Sequence, residues 1–285
     1  MTDNDTTILV LGGTGKTGSR LAQLLRDRGA GVRTAARHGA DVTFDWDDPA
    51  THGPALDGAA AVYLVPPTQR LDYGDLVVAF LDRAEAAGVG HVTQLSARGV
   101  DGAPPEVTPR AIELDLASRS GLTHSILRPG WFLQNFHDAS LFLPTGGRIA
   151  APTGDGAEAF VHADDIAEAA AATLLAPADH DGGGYTLTGP EALSFGEVAE
   201  RIAKATGRPV THDDVDREAW VARAVAAGVP DDYAGLLATL LDDRLRNGQG
   251  TATTDAIERL TGHPARGFDA YAAEPAVVAA WLQAP

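Results

Sequence analysis

The stretch that decides the fold is ILVLGGTGKTG, residues 8–18. Its apolar start predicts a buried strand, and Gly12, Gly15 and Gly18 follow it with the spacing G-x-x-G-x-x-G. A turn without side chains lets backbone N–H groups approach a pyrophosphate at the start of the next helix, and the last glycine lets that helix pack on the strand. The predicted dinucleotide contacts of this turn are Gly12, Thr14, Gly15, Lys16, Thr17 and Gly18.

The same residues also invite comparison with a mononucleotide P-loop, because Thr17 follows the pair Gly15-Lys16. That motif requires a glycine five residues before the Gly-Lys pair. Val10 stands there, inside the predicted strand, so the P-loop interpretation is excluded.

Working outward, short apolar runs alternate with helical patterns through the first half of the chain. The predicted strands are Thr7–Leu11, Val32–Ala36, Val42–Phe44, Ala60–Val65, His91–Ser96 and Thr123–Leu127. The predicted helices are Lys16–Arg28, Gly74–Ala87 and Pro109–Ser120, the last with Thr108 as its N-cap and proline at its first position. Short, continuously apolar strands separated by helices predict an α/β fold, a Rossmann-type doubly wound parallel sheet covered on both faces.

After Pro129 the pattern changes. The predicted elements there are a strand end and helix within Phe160–Leu175, a strand at Tyr185–Thr188, and a helix Phe195–Thr206 with a capping box from Ser194 to Glu197 and a stop at Gly207. The rest is mostly helical. We predict a dinucleotide-binding core over residues 1–130, its sheet completed by 160–190, and a smaller, mainly helical substrate-binding lobe over 131–285.

Composition limits the partners. Lys and Arg number 22 against 39 Asp and Glu, a formal charge of −17, which disfavours nucleic acid and anionic membrane surfaces. Cysteine is absent, which excludes thiolate nucleophiles and cysteine-ligated zinc. The polar N-terminus lacks the pattern of a signal peptide, and no apolar run approaches the roughly 18 residues of a membrane span. We expect a cytoplasmic monomer or homodimer that holds no metal and acts on a small molecule.

The second predicted strand indicates which dinucleotide is used. Sites for NAD usually carry an acidic residue at its end, but here Arg37 and His38 follow instead. A guanidinium paired with a 2′-phosphate contributes about 1.5–3 kcal/mol, so NADPH is the predicted cofactor, the alternative being a solvated arginine. Asp45 is expected either to accept from the adenine amino group or to cap a helix before Pro49.

One catalytic pattern is missing. Short-chain dehydrogenases usually pair Tyr-x-x-x-Lys on the helix after the fifth strand with a serine at the end of that strand. Ser96 is in place, as the catalytic candidate and as a cofactor contact, but none of the five tyrosines is followed four residues later by lysine. We therefore predict acceptors that need no proton in the transition state, unless Tyr63 or Tyr233 supplies one. His162 with Asp164 and Asp165 is interpreted as a helix cap in preference to a metal site.

Several further stretches resemble NmrA-like atypical short-chain reductases, closest to bacterial relatives of the ergot-alkaloid iminium reductase agroclavine dehydrogenase. The stretches that carry the resemblance are Leu11–Gly18, Val62–Pro67, Leu127–Phe136, Phe160–Ala167 and Tyr185–Pro190. The resemblance implies that Pro66, with Arg37 and the glycine turn, contacts the cofactor. Many members carry Lys or His at the position of Pro109.

The resemblance also implies a place for the substrate. It sets Trp131, Phe132 and Asn135 near nicotinamide and substrate, although Trp131-Phe132 also fits an aromatic core at a helix start. We expect Phe160 to line the same pocket, with Trp220 and Tyr233 closing it.

The function expected is an NADPH-dependent reductase that transfers hydride to a small or medium electron-poor acceptor, an iminium or a quinone. Two alternatives stay open. One is a catalytically silent NADP-binding redox sensor, and the other an isomerase or dehydratase with a tightly held cofactor.

Overall fold

A computed structural model of the protein describes residues 7–138 and 141–284. The strands are β1 (Thr7–Leu11), β2 (Gly31–Ala36), β3 (Val42–Thr43), β4 (Ala59–Leu64), β5 (His91–Leu95), β6 (Thr123–Pro129), β7 (Arg148–Ala150), β8 (Ala157–Glu158), β9 (Gly183–Leu187), β10 (Leu193–Ser194) and β11 (Thr211–Asp213). The helices are α1 (Gly18–Asp27), α2 (His52–Leu56), α3 (Gly74–Ala86), α4 (Thr108–Ser118), α5 (Ala163–Leu175), α6 (Pro177–His180), α7 (Phe195–Thr206), α8 (Arg217–Ala226), α9 (Asp231–Thr239), α10 (Ala256–Thr261), α11 (Phe268–Ala272) and α12 (Pro275–Gln283).

The central sheet has seven strands in the order β3-β2-β1-β4-β5-β6-β9, and every neighbouring pair is parallel. Helices α1, α5 and α10 pack on one face of it, while α2, α3 and α4 pack on the other. The strand order reverses between β1 and β4, the switch point at which ligands bind in such sheets. The predicted Rossmann-type doubly wound fold is confirmed.

A separate apolar cluster lies beyond the sheet and forms the interior of the second half of the chain. Phe136 is at its centre, with ring centroids 5.0 Å from Phe160 and 5.5 Å from both Phe142 and Phe195. Two small sheets, β8 with β10 and β7 with β11, border this cluster. Most of its remaining residues come from the helices α7, α8, α9, α11 and α12. We call this cluster, with the helices that supply it, the lobe.

Several predicted boundaries move, each for a local reason. Helix α1 begins at Gly18, two residues later than predicted, because Thr17 is its cap. β3 ends at Thr43, one residue before Phe44. The predicted N-cap Thr108 is wrong: the first intrahelical bond of α4, from the Ala111 N–H, ends on the Val107 carbonyl, so Val107 is the cap.

Other predicted signals are confirmed. Ser194 and Glu197 form the reciprocal capping box of α7, and Gly207 ends that helix in the left-handed conformation at φ +68°. His162 caps α5, since its Nδ1 accepts the Asp164 N–H at 3.1 Å. Its Nε2 lies 2.7 Å from the Glu274 carboxylate, so this histidine is used structurally.

Candidate active site

The glycine-rich turn between β1 and α1 leaves no room for side chains. Gly12 has φ +63°, and a Cβ on Gly13 would lie 2.6 Å from the Thr34 side chain. A Cβ on Gly18 would collide with the Gly12 carbonyl oxygen. Within the described residues, the backbone N–H groups of Thr14, Lys16 and Thr17 have no acceptor. The turn therefore presents free donors at the N-terminus of α1, as an anion-binding turn does.

A buried hydroxyl pair anchors this turn to the sheet. The Tyr63 hydroxyl on β4 donates to Thr17 Oγ1 at 3.1 Å, and both side chains are buried. Burial raises the pKa of Tyr63, which keeps its phenol neutral. A fully enclosed and already bonded phenol does not reach a substrate, so Tyr63 is not the missing proton donor.

The loop after β2 lies beside the turn. A Cβ on Gly39 would be 3.7 Å from Thr14 Cγ2, so the exposed side chains of Arg37 and His38 enter the solvent close to the glycine turn. Neither has a carboxylate partner in the part of the chain that the structure describes. Two basic side chains next to free N–H donors are the arrangement expected of a 2′-phosphate site. The location therefore suits the assignment of Arg37 and His38 to the 2′-phosphate, which stays a prediction.

Asp45 has a different role from the cap that was considered for it. Asp48, and not Asp45, caps the 3-10 turn Pro49–Thr51 by accepting the Ala50 N–H at 3.1 Å. The Asp45 carboxylate accepts the Asp47 N–H at 3.0 Å and stays half-buried. The second carboxylate oxygen of Asp45 is the one that would accept from the adenine amino group, and this contact stays a prediction. Pro66 is half-buried in the loop that follows β4.

Lys16 joins the glycine turn to the lobe. Its Nζ donates to Asn135 Oδ1 at 3.2 Å and to the Asp138 carboxylate at 2.6 Å. Because Oδ1 of Asn135 accepts from a cation, the amide nitrogen is left as a donor. The sequence placed Lys16 and Asn135 in separate sites, at the cofactor and at the substrate, and the structure brings the two side chains into contact.

Ser96 follows β5 but its hydroxyl is engaged. It donates to Glu113 Oε1 at 2.6 Å, and the fully buried Glu113 carboxylate also accepts from Arg128 at 2.9 and 2.8 Å and from Arg110 at 3.0 Å. Sequence reasoning missed this network, because no spacing signals a contact between α4 and β6. Since its hydrogen points at Glu113, Ser96 offers a cofactor or substrate only its lone pairs.

Predicted pocket residues divide into two groups. Phe132 is half-buried, packs against the same apolar cluster as Val65 and Leu95, and forms a parallel bridge with Val161. Trp131 is half-buried on the border of the lobe cluster. Phe160 is only 3% exposed among the lobe aromatics and Trp220 only 2%, so both pack in the lobe core, and their role in the pocket stays a prediction.

A buried ion pair connects the loop after β5 with the lobe. Arg98 donates to Glu158 Oε1 at 3.1 Å and to the Gly250 carbonyl at 2.8 Å. Burial raises the pKa of Glu158 to about 7 even though Arg98 opposes the shift. The pair lies under Gly130, where a Cβ would be 2.5 Å from the carboxylate, and so supports the backbone that leads into Trp131.

A family model described as NAD(P)H-binding matches residues 12–177, from the glycine turn through α5. The chain belongs to this family. The uncharacterized oxidoreductase YesF of Bacillus subtilis is 37% identical over 274 residues, which cover 93% of this chain and 94% of that protein. Agroclavine dehydrogenase of Claviceps fusiformis is 32% identical, with 92% and 94% covered.

Among solved structures, an NADPH-dependent quinone oxidoreductase from Escherichia coli complexed with NADPH superposes with a TM-score of 0.74 at 23% identity. The match covers 93% of this chain and 98% of that chain, and at this identity it shows the fold. The predicted resemblance to NmrA-like atypical short-chain reductases is confirmed, and the protein is an NAD(P)H-dependent oxidoreductase.

The geometry of this NAD(P)H-binding protein fits the cofactor of its family. The free N–H groups of the glycine turn suit a pyrophosphate, and the excluded Cβ positions at Gly13 and Gly18 explain why glycine is needed there. Phe132 and Trp131 are half-buried and follow the carboxyl end of β6, and their contact with the nicotinamide end of the cofactor stays a prediction. Among the described helices, none is both long and apolar enough to cross a membrane.

Proposed function

We propose that this protein is an NADPH-dependent reductase that transfers hydride to a small or medium electron-poor organic acceptor, an iminium or a quinone. The observation that carries the proposal is the set of N–H donors on Thr14, Lys16 and Thr17 beside Arg37 and His38, all of them without a partner among residues 7–138 and 141–284. Free donors and a free guanidinium complement a pyrophosphate and a 2′-phosphate, respectively.

Each group of residues has a part in this proposal. The glycine turn and Arg37 hold the two phosphate groups, and NADPH, when bound, supplies the hydride. Phe132 and Trp131 exclude water from the carboxyl ends of β4 and β5, and Asn135 presents its amide donor to the acceptor. Holding donor and acceptor together in a dry site accounts for most of the acceleration such a site offers.

The acceptor class follows from what α4 lacks. In this chain Pro109 and Glu113 are spaced like the usual tyrosine and lysine, and Glu113 is fully buried in ion pairs. Ser96 donates to Glu113 and is not a proton source. A ketone, whose alkoxide has a high pKa, is therefore a poor acceptor, whereas an iminium already carries its charge and a quinone yields a delocalised anion. The relative named agroclavine dehydrogenase supports a nitrogen-containing acceptor.

The test is a panel of simple ketones, cyclic iminium salts and quinones with saturating NADPH, followed by loss of absorbance at 340 nm. We expect turnover of iminium salts or quinones and little of ketones. NADPH binding without oxidation by any acceptor would replace this proposal with the redox-sensor function. Rapid ketone reduction would contradict the acceptor class.

A further inference from the structure

The Lys16 side chain reaches from the glycine turn to the segment that follows β6. Its Nζ lies 3.2 Å from Asn135 Oδ1 and 2.6 Å from the Asp138 carboxylate. A lysine ammonium group has three N–H donors and no acceptor, so the atom of the Asn135 amide that faces it is the oxygen. The contact therefore decides the orientation of the amide, and its nitrogen is turned to a different side.

The backbone that carries Asn135 is held in place. Asn135 lies in the 3-10 turn Leu133–His137. The Phe142 N–H donates to the Asn135 carbonyl at 3.2 Å, and the indole N–H of Trp281 donates to the Phe136 carbonyl at 2.8 Å. These bonds leave the rotation of the Asn135 side chain as the remaining freedom, which the contact with the ammonium group removes.

The amide nitrogen of Asn135 is a donor that is still available. It has no acceptor among residues 7–138 and 141–284, although Asn135 is only 7% exposed. In the same part of the chain, the side-chain atoms that are fully enclosed without a partner belong to Gln94. The Asn135 nitrogen is therefore not fully enclosed and can be reached by a ligand. A donor on a largely buried side chain gains from a partner, because leaving it unbonded costs free energy.

This donor lies along the ligand-binding edge of the sheet. Asn135 follows the carboxyl end of β6, and Lys16 joins it to the turn at the carboxyl end of β1. Ligands of doubly wound sheets bind outside these strand ends. Trp131 and Phe132, on the same segment, are half-buried and apolar. A fixed N–H donor in such a place stabilises negative charge that develops during a reaction.

We propose that Asn135 is a catalytic residue that stabilises an oxygen anion on the acceptor, and that Lys16 is the positioning residue that orients its amide. This rests on the reductase function proposed above and selects a quinone as the acceptor. Hydride from bound NADPH adds to one end of the conjugated quinone, and the displaced electron pair moves to the carbonyl oxygen at the other end. This oxygen accepts the Asn135 N–H. The anion then takes a proton from water, and the cofactor is left as NADP⁺.

The same amide gives an iminium acceptor no advantage. The nitrogen of an N-alkyl iminium passes from positive to neutral as hydride arrives, so no negative charge develops for an N–H donor to stabilise. Net charge does not compensate, because Lys16 is paired with Asp138, and Arg20 with Asp164, each at 2.6 Å. The geometry therefore favours the quinone over the nitrogen-containing acceptor that the relative named agroclavine dehydrogenase supports.

The experiment exchanges the amide donor for an acceptor of the same shape. Asn135→Asp keeps an oxygen toward Lys16 and replaces the nitrogen with a second oxygen, and Asn247→Asp makes the same change on an exposed residue. The kcat at saturating NADPH is measured with menadione and with an N-methyl cyclic iminium salt. Asn135→Asp should lower the ratio of kcat for menadione to kcat for the iminium salt about 10²–10³-fold, the usual loss for one oxyanion donor. Asn247→Asp should keep this ratio within about twofold of wild type, as surface substitutions usually do.

Lys16→Met tests the positioning role, and it changes a half-buried side chain, so it also decides the matter if Asn135→Asp folds poorly. Without the ammonium group, the Asn135 nitrogen can turn toward the Asp138 carboxylate and away from the acceptor. The kcat with menadione should then fall about five- to tenfold, the worth of one hydrogen bond, while kcat with the iminium salt falls less. Lys16→Arg keeps a cation at this position and should restore most of the menadione rate. Equal losses with both acceptors in Lys16→Met would show a structural role instead.

A binding measurement adds a result that does not depend on turnover. Quenching of tryptophan fluorescence by menadione, with NADP⁺ in place of NADPH, should give a dissociation constant about tenfold higher in Asn135→Asp, since one hydrogen bond is lost. An unchanged ratio of the two kcat values in folded Asn135→Asp would overturn the assignment while leaving the reductase function standing. A wild type that reduces the iminium salt but not menadione would overturn it as well. Failure of the wild type to oxidise NADPH with any acceptor would instead refute the proposed function itself.

Discussion

Replacing Gly18 by alanine tests whether the glycine turn is shaped for the cofactor. The added Cβ would lie 2.8 Å from the Gly12 carbonyl carbon and 3.1 Å from Gly13 Cα, and closer still to the Gly12 oxygen. All three are backbone atoms, so no rotamer change relieves the contact. Bringing the carbonyl carbon alone to ordinary contact at 3.4 Å moves the turn by about 0.6 Å, and the closer oxygen demands more, which overpacks the strand–helix junction by about 1–3 kcal/mol.

The displaced turn also misdirects the N–H groups of Thr14, Lys16 and Thr17. A hydrogen bond from a backbone N–H to a charged phosphate contributes about 1.5–3 kcal/mol, so losing one raises the NADPH dissociation constant about ten- to hundredfold. The assay is a fluorescence titration with NADPH, together with the melting temperature of the free protein. Gly15→Ala is the gentler companion, because its Cβ meets only the Gly12 oxygen, at 3.2 Å, and the fold should be preserved.

Gly53→Ala is the matched control. Gly53 lies in α2, and a Cβ there meets nothing within 4 Å, so the affinity for NADPH should not change. If both variants, Gly15→Ala and Gly18→Ala, fold and bind NADPH within about twofold of wild type, the glycines serve only the backbone conformation of the turn. The phosphate assignment would then be wrong.

Three further predictions concern the cofactor, the pocket and the core. Arg37→Ala should lower the ratio of kcat/KM for NADPH over NADH about tenfold or more, and a wild type that prefers NADH would refute the NADPH assignment. Trp131→Ala and Asn135→Ala should each lower kcat/KM for an accepted substrate at unchanged melting temperature, whereas unaltered activity would move the pocket elsewhere. Burial lowers the pKa of His91 from 6.5 to about 4, so the unfolded chain binds a proton that the folded one refuses and stability falls as pH drops from about 6.5 to 4. The free energy of unfolding falls by about 3 kcal/mol over this pH range. In urea unfolding, His91→Gln should therefore show a smaller difference between pH 7.5 and pH 5 than the wild type does.

The core of the fold was predictable because its signals are local. The apolar run and three glycines at residues 8–18 are contiguous, and each parallel strand is a short apolar stretch with a helix after it. The capping box at Ser194 is likewise contained in four residues. Boundaries failed where a backbone bond decides them, as at Val107, since sequence shows a good capping side chain in Thr108 but not which carbonyl accepts the first helical bond.

The candidate site was predictable only in part, because most of its contacts join distant residues. Ser96 was expected to be free at the end of a strand, but its partner Glu113 lies on another helix. Phe160 was expected in the pocket from its place in a motif, and packing against Phe136 and Phe195 encloses it.

The loss of the usual acid from α4 has a structural counterpart in a buried ion-pair network. Glu113 is spaced like the usual lysine, and its buried carboxylate is held by Arg110, Arg128 and the Ser96 hydroxyl, so this position of α4 offers a substrate no neutral donor. Removing Glu113 would leave Arg110 without this carboxylate and Arg128 with only Asp101, 4.0 Å away. Losing one partner of a buried pair costs about 3–5 kcal/mol. The network is therefore expensive to undo by single substitutions.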